Sequence, residues 1–242
     1  MSGRAGIAYR VARVAWRVVA ACLRVRVRVE GLEHLPQSGG FIVAGVPHRT
    51  WVDPFLLWGW LPAEPRLVFF GDARTMGRSP LRRAALRLVG GVIPIPTAHR
   101  AGAAELHIAA AVDVLAAGAA FCLFPETGPA APLRSIRRLG AGVGYFALRS
   151  GTPLVPVVIG GNDQLFFGRT IVMRVLPPMS AMELAGLAVP PEPAAQDERD
   201  AVRRVLEGIA AAVVAPVAAA HDAAEPPPGT PRRMTWLTTL FR

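Results

Sequence analysis

The chain has 242 residues, 52% of them apolar and 18% charged, which excludes a disordered polypeptide and leaves material for one well-packed domain with a small appendage. Its net charge of +10 lies entirely in the first 100 residues, where 15 Arg face five acids; residues 101–242 carry 12 of each, and the chain has no Lys. Two cysteines, Cys22 and Cys122, exclude a disulfide framework or a cysteine-based zinc cluster and point to a reducing compartment.

Residues 4–23 read as a helix on which Arg10, Arg13, Arg17 and Arg24 lie along one side and Ile7, Val11, Val14 and Val18 on others. Its longest uncharged run, Val18 to Leu23, is far short of the ~20 apolar residues of a membrane span, and the arginines break any signal-peptide apolar stretch. Such a helix suits the surface of an anionic membrane, each Arg adding ~1 kcal/mol of attraction near the leaflet; the plainer alternative is a helix packed on the domain with a solvated basic face.

The strictly alternating residues 24–30 predict a half-buried strand, and Phe41 to Ala44 a short apolar one. A helix follows from Pro54 to Trp60, with Asp53 placed to cap it and Pro54 in its first turn. Strands at 67–70, 92–95, 120–124, 154–159 and 171–176 alternate with helices at 75–89, 101–117 and 134–149. That alternation defines an α/β domain, with a mostly parallel central sheet flanked by helices, an N-terminal amphipathic helix and a C-terminal helical extension. The boundaries expected are a membrane-surface helix over 1–24, the main domain over 25–186, and a linker, helix (200–220) and flexible tail over 187–242. The tail carries Trp236, Leu237, Leu240 and Phe241, suited either to a membrane or to folding back on the core.

The chemistry concentrates where apolar strands end, the edge at which α/β sheets build their sites. Pro47-His48-Arg49-Thr50-Trp51-Val52-Asp53-Pro54 follows one such strand. A turn there can bring the His48 imidazole to the Asp53 carboxylate, which would fix the ring tautomer and leave the other nitrogen as a general base. Asp53 before Pro54 is equally a good helix cap with no chemistry. Phe124-Pro125-Glu126-Thr127-Gly128 follows a second strand; Gly90-Gly91-Val92-Ile93-Pro94-Ile95 and Leu154-Val155-Pro156-Val157-Val158-Ile159 complete a set of four blocks.

The order and spacing of these blocks, with the lead-in Val29-Glu30-Gly31-Leu32-Glu33-His34-Leu35-Pro36, resemble the glycerolipid acyltransferase family, the 1-acylglycerol-3-phosphate acyltransferases and related lysophospholipid acyltransferases, from about Val25 to Ile159. The resemblance implies that His48 is the catalytic base and Asp53 its partner, and that Glu126 lies near the acceptor. Thr127 and Gly128 stand where the family has Gly then Thr. The family's phosphate-contacting Arg in that block is replaced, Pro129 and Ala130 standing there, and the Arg after the second block gives way to Pro96-Thr97 with Arg100 three residues late. Arg138-Leu139-Gly140 is similar to the family's basic-x-Gly step. Arg49, Arg100 and Arg134 are the candidate substitutes for these phosphate contacts; without them the acceptor is another lipid alcohol or amine.

The implied reaction is direct transfer of a fatty acyl group from acyl-CoA or acyl-carrier protein to the hydroxyl of a lipid acceptor, without an acyl-enzyme. Acyl-CoA or acyl-carrier protein serves as co-substrate, with no bound cofactor and no metal, since no two histidines have ligand spacing. Cys122 falls in a predicted buried strand and reads as packing. The expected setting is peripheral, on the cytoplasmic face of the cell membrane. A catalytically silent, membrane-binding relative is the competing reading; nucleic acid is not an expected partner, because the 7% aromatics form no stacking series.

Overall fold

The computed structural model describes residues 6–72, 91–95, 103–128, 131–193 and 195–239. The predicted helix over 75–89, which carries Arg78, Arg82, Arg83 and Arg87, and Arg100 lie outside the described residues.

Seven strands form the central sheet: β1 (Arg26–Glu30), β2 (Phe41–Val46), β3 (Leu67–Asp72), β4 (Val92–Ile95), β5 (Ala120–Leu123), β8 (Leu154–Gly160) and β9 (Thr170–Val175). They are ordered β1-β9-β8-β2-β5-β3-β4, and all pairs are parallel except β8 with β9. A separate two-stranded hairpin joins β6 (Glu126–Thr127) to β7 (Arg138–Leu139). The helices among the described residues are α1 (Ile7–Cys22), α2 (Asp53–Trp60), α3 (Ala103–Ala116), α4 (Gly142–Ser150), α5 (Ala181–Ala185) and α6 (Gln196–Ala224).

The sheet is apolar on both faces because helices cover both. In β2 every residue is buried, Ile42, Ala44 and Val46 packing with α3, α4 and α6, and Phe41 and Val43 packing with Leu56, Leu57 and Leu61 of the α2 region. The C-terminal helix is therefore no appendage. Val202, Val205, Ile209, Val213 and Val217 of α6 recur every three or four residues and close one face of the sheet over β8 and β9. Contact there is backbone-close: a Cβ at Gly160 would stand 2.1 Å from the Ala220 carbonyl oxygen. The helix expected over 134–149 starts only at Gly142, because Arg138 and Leu139 are drawn into the β6–β7 hairpin.

The orientation of α1 reverses the electrostatic expectation. Tyr9, Arg13 and Ala20 are buried against the domain, and Trp16 points the same way. The Arg13 guanidinium donates to the carbonyls of Gly59 (3.4 Å), Leu61 and Pro62 (3.1 Å), and Arg17 Nε donates to Gly59 at 2.7 Å. These are the carbonyls that the end of α2 leaves without intrahelical partners, and a cation is favoured at that pole. Arg10 pairs with Glu64, and Arg24 lies over the Phe167 ring. All four arginines thus reach toward the protein, Arg13 from a buried position and the other three from exposed ones. Outward instead face Ile7 (83% exposed), Val11, Val14, Val18 and Val19.

The C-terminal segment folds back. Its 3-10 turn, Thr235–Thr239, buries Thr238, whose Oγ1 accepts the Leu165 N–H at 2.9 Å, while Trp51 Nε1 donates to the Leu237 carbonyl at 3.2 Å.

Candidate active site

The strand β2 ends at Val46, and residues 47–52 turn out of the sheet before α2 begins. His48 Nδ1 lies 2.9 Å from Asp53 Oδ2. The same oxygen accepts the backbone N–H groups of Arg49 (2.6 Å) and Thr50 (2.8 Å). Oδ1 accepts Thr50 Oγ1 (3.1 Å) and Asn162 Nδ2 (3.0 Å). Asp53 is fully buried, and these five donors offset the cost of taking its charge out of water. The carboxylate points back into the preceding loop, and no N–H of α2 is bonded to it. The capping alternative is thereby set aside.

The imidazole is 40% exposed and stacks on Phe124, centroids 4.4 Å apart and planes 25° apart. A carboxylate partner at Nδ1 favours the tautomer with its hydrogen there, which leaves Nε2 of the partly exposed ring as a proton acceptor. Gly45 makes this stacking fit: a Cβ there would stand 2.5 Å from the Phe124 ring.

Glu126 joins the site through the main chain. Its Oε2 accepts the His48 backbone N–H and its Oε1 that of Arg137, both at 2.8 Å. Arg49 turns away from Asp53 and donates to the carbonyls of Ala131 (2.8 Å), Pro132 (2.8 Å) and Ser135 (2.7 Å). Burial pulls its pKa below the usual value, with Glu126 opposing. Thr127 and Arg138 face each other in the hairpin, Thr127 Oγ1 donating to the Arg138 carbonyl at 3.2 Å. Arg138 is exposed, and Gly128 turns with a left-handed φ of 84°. Arg134 pairs with Asp222 at 2.8 Å. The structure thus brings together His48, Asp53, Glu126 and Arg49, with the hairpin residues Thr127, Gly128 and Arg138 beside them; Arg100 falls outside the described residues.

Asn162 and Phe124 complete the constellation. Asn162 was not among the residues singled out from sequence, although it follows the apolar strand β8 at the sheet edge where sites form. Cys122 is fully buried and burial pushes its thiol pKa up, which removes it as a nucleophile. A cleft of about 90 Å³ lined by Leu35, Phe41, Leu61, Glu64 and Leu67 opens at the amino ends of β2 and β3, away from His48. Among the described residues no cluster of His, Cys, Asp and Glu is arranged to hold a metal ion.

The family model described as Acyltransferase matches residues 26–160. The chain belongs to that family, and the matched span contains both the His48–Asp53 pair and Glu126. Among solved structures, it is similar to the 1-acyl-sn-glycerophosphate (LPA) acyltransferase PlsC from Thermotoga maritima, at 20% identity and a TM-score of 0.58, covering 85% of this chain and 78% of that one. The α/β fold, a mostly parallel sheet flanked by helices, is shared with that protein. No curated protein matches the chain by sequence.

Proposed function

We propose that the chain is an O-acyltransferase that moves a fatty acyl group from an acyl thioester, acyl-CoA or acyl-carrier protein, to the hydroxyl of a lipid acceptor such as 1-acylglycerol-3-phosphate, with His48 as general base. The observation that carries this reading is the 2.9 Å contact between His48 Nδ1 and the buried Asp53 carboxylate. His48 Nε2 takes the acceptor hydroxyl proton, and the oxygen attacks the thioester carbonyl. Asp53 stabilises the imidazolium as it forms, and backbone N–H groups of a glycine-containing loop hold the oxyanion. When the carbon–sulfur bond breaks, the proton passes from His48 to the departing thiolate. The intact pair speaks against a silent relative.

A second reading, a lipid acceptor without phosphate, is favoured by one feature: Arg49 and Arg134, two of the three candidate substitutes, are engaged with carbonyls and with Asp222. Purified protein is offered acyl-CoA with either lysophosphatidic acid or monoacylglycerol. Turnover of the first supports the phosphate acceptor and turnover of the second alone supports the other; loss of both in His48→Ala is the expected control.

The same reading puts the protein peripherally on the cytoplasmic face of the cell membrane. Support comes from the exposed aliphatic row of α1 and from the free exposed thiol of Cys22, which suits a reducing side. No helix among the described residues is long and apolar enough to cross a membrane.

A further inference from the structure

The segment after β8 is pinned from several directions. Gly160 lies against the α6 backbone, and the buried Arg169 donates to the Gly161 carbonyl at 2.8 Å and to Asp163 at 2.9 Å. Between them sits Asn162, 2% exposed. Its two amide hydrogens are divided between two acceptors, the Pro47 carbonyl at 2.9 Å and Asp53 Oδ1 at 3.0 Å. Pro47 precedes His48 and Asp53 closes the turn, so one amide ties both ends of the loop that carries the base. Strand pairing makes this reach possible: β8 runs parallel beside β2 with Val158 opposite Val46, so the two strands deliver their exit loops side by side.

The loop bearing Asn162 is in turn braced by the chain's C-terminal segment. Thr238 Oγ1 accepts the Leu165 N–H at 2.9 Å, the Arg233 carbonyl accepts the Phe167 N–H at 2.9 Å, and Arg232 donates to Gln164 Oε1 at 2.9 Å. The same segment takes the Trp51 indole N–H from within the base-bearing turn.

We infer that Asn162 is a positioning residue for acyl transfer, holding Asp53 and the Pro47 carbonyl so that His48 keeps its tautomer and aim, with residues 232–239 as the brace that seats it. The inference rests on His48 being the base. Asn162 touches no substrate; it acts through Asp53.

The test uses the full chain, with acyl-CoA and whichever acceptor the wild type turns over. Asn162→Ala is expected to lower kcat by about 10–100-fold while the KM for both substrates stays within about threefold, the signature of misaligned chemistry with intact binding. Asn162→Gln, which keeps two amide hydrogens, restores part of the loss. Thr238→Val removes the brace's contact to Leu165 without touching Asn162 and lowers kcat less; Thr238→Ser returns it to wild type. Wild-type kcat in Asn162→Ala, or a loss confined to KM, overturns the inference. For an Asn162→Ala protein that does not fold, wild-type kcat in Thr238→Val overturns it likewise. His48→Ala run in parallel keeps the failures apart: persistent turnover there sinks the base itself, whereas a dead His48→Ala beside a fully active Asn162→Ala sinks the positioning role alone.

Discussion

Glu126 accepts the backbone N–H of His48 at 2.8 Å, so the carboxylate of the second sequence block holds the main chain of the first. Its other oxygen takes the Arg137 N–H, which fastens the β6–β7 hairpin to the same point. Besides the place near the acceptor that the resemblance implies, the geometry gives Glu126 the part of a strut. Glu126→Ala leaves two partly buried N–H groups without acceptors, at a cost of about 1–3 kcal/mol each. It is expected to lower both Tm and kcat, whereas a residue that only bound the acceptor would raise its KM and leave Tm alone. Thermal melts and steady-state kinetics on one preparation separate the two.

Asp53→Asn keeps the shape of the site but replaces one acceptor oxygen with an NH2 group. Whichever way the amide turns, it sets donor against donor: Oδ2 faces three N–H groups and Oδ1 faces Thr50 and Asn162. With the NH2 at the Oδ2 position the favoured His48 tautomer loses its partner; with it at Oδ1, Asn162 does. A drop in kcat of about 10³–10⁴-fold is expected, by analogy with the same change in serine-protease triads. A loss below about tenfold would mean the carboxylate does not orient the base.

How much of this could be read in the sequence depended on separation along the chain. His48 and Asp53 are five residues apart on one turn, so their meeting follows from local geometry. Asn162 is 109 residues from Asp53, and only the placement of β8 beside β2 joins them. The antiparallel return of β9, like the β6–β7 hairpin that shortened α4, is also a non-local pairing that periodicity does not reveal. In α1 the spacing showed two faces but not which one turns inward. A rule of thumb buries the aliphatic side; here the unpartnered carbonyls at the end of α2 recruit the arginine side instead.

That inversion yields a test of membrane contact. Ile7, Val11, Val14 and Val18 are already in solvent, so Val11→Asp with Val18→Asp costs little folding stability. Burial of each valine is worth about 1.5–3 kcal/mol, so losing two should cut binding to anionic vesicles by tenfold or more. Arg13→Met is the converse: it strips the donors from the α2 carbonyls and is expected to lower Tm with little change in vesicle binding. Co-sedimentation and thermal melts on the two variants decide. Were Arg13→Met to abolish binding and the paired aspartates to leave it intact, the arginine side would be the membrane face after all.

Buried groups also set an alkaline limit on stability. Burial raises the pKa of the Cys122 thiol above its ordinary 9.0 and that of the Tyr9 phenol above its ordinary 10.0. In the unfolded chain both ionise at their ordinary values, while the folded state must keep them neutral. Their contribution is therefore complete below about pH 8, begins to fall as pH passes the ordinary values of 9 to 10, and is lost as pH rises through the raised native-state values, because over that range the unfolded state sheds protons the native state retains. Denaturant melts between pH 7 and pH 11 are expected to show stability falling over that upper range, and Cys122→Ser to reduce the fall. The same burial shields the thiol at neutral pH. A maleimide should label Cys22, exposed on α1, and leave turnover intact; labelling of Cys122 in the native protein with loss of activity would contradict a reaction that proceeds without an acyl-enzyme.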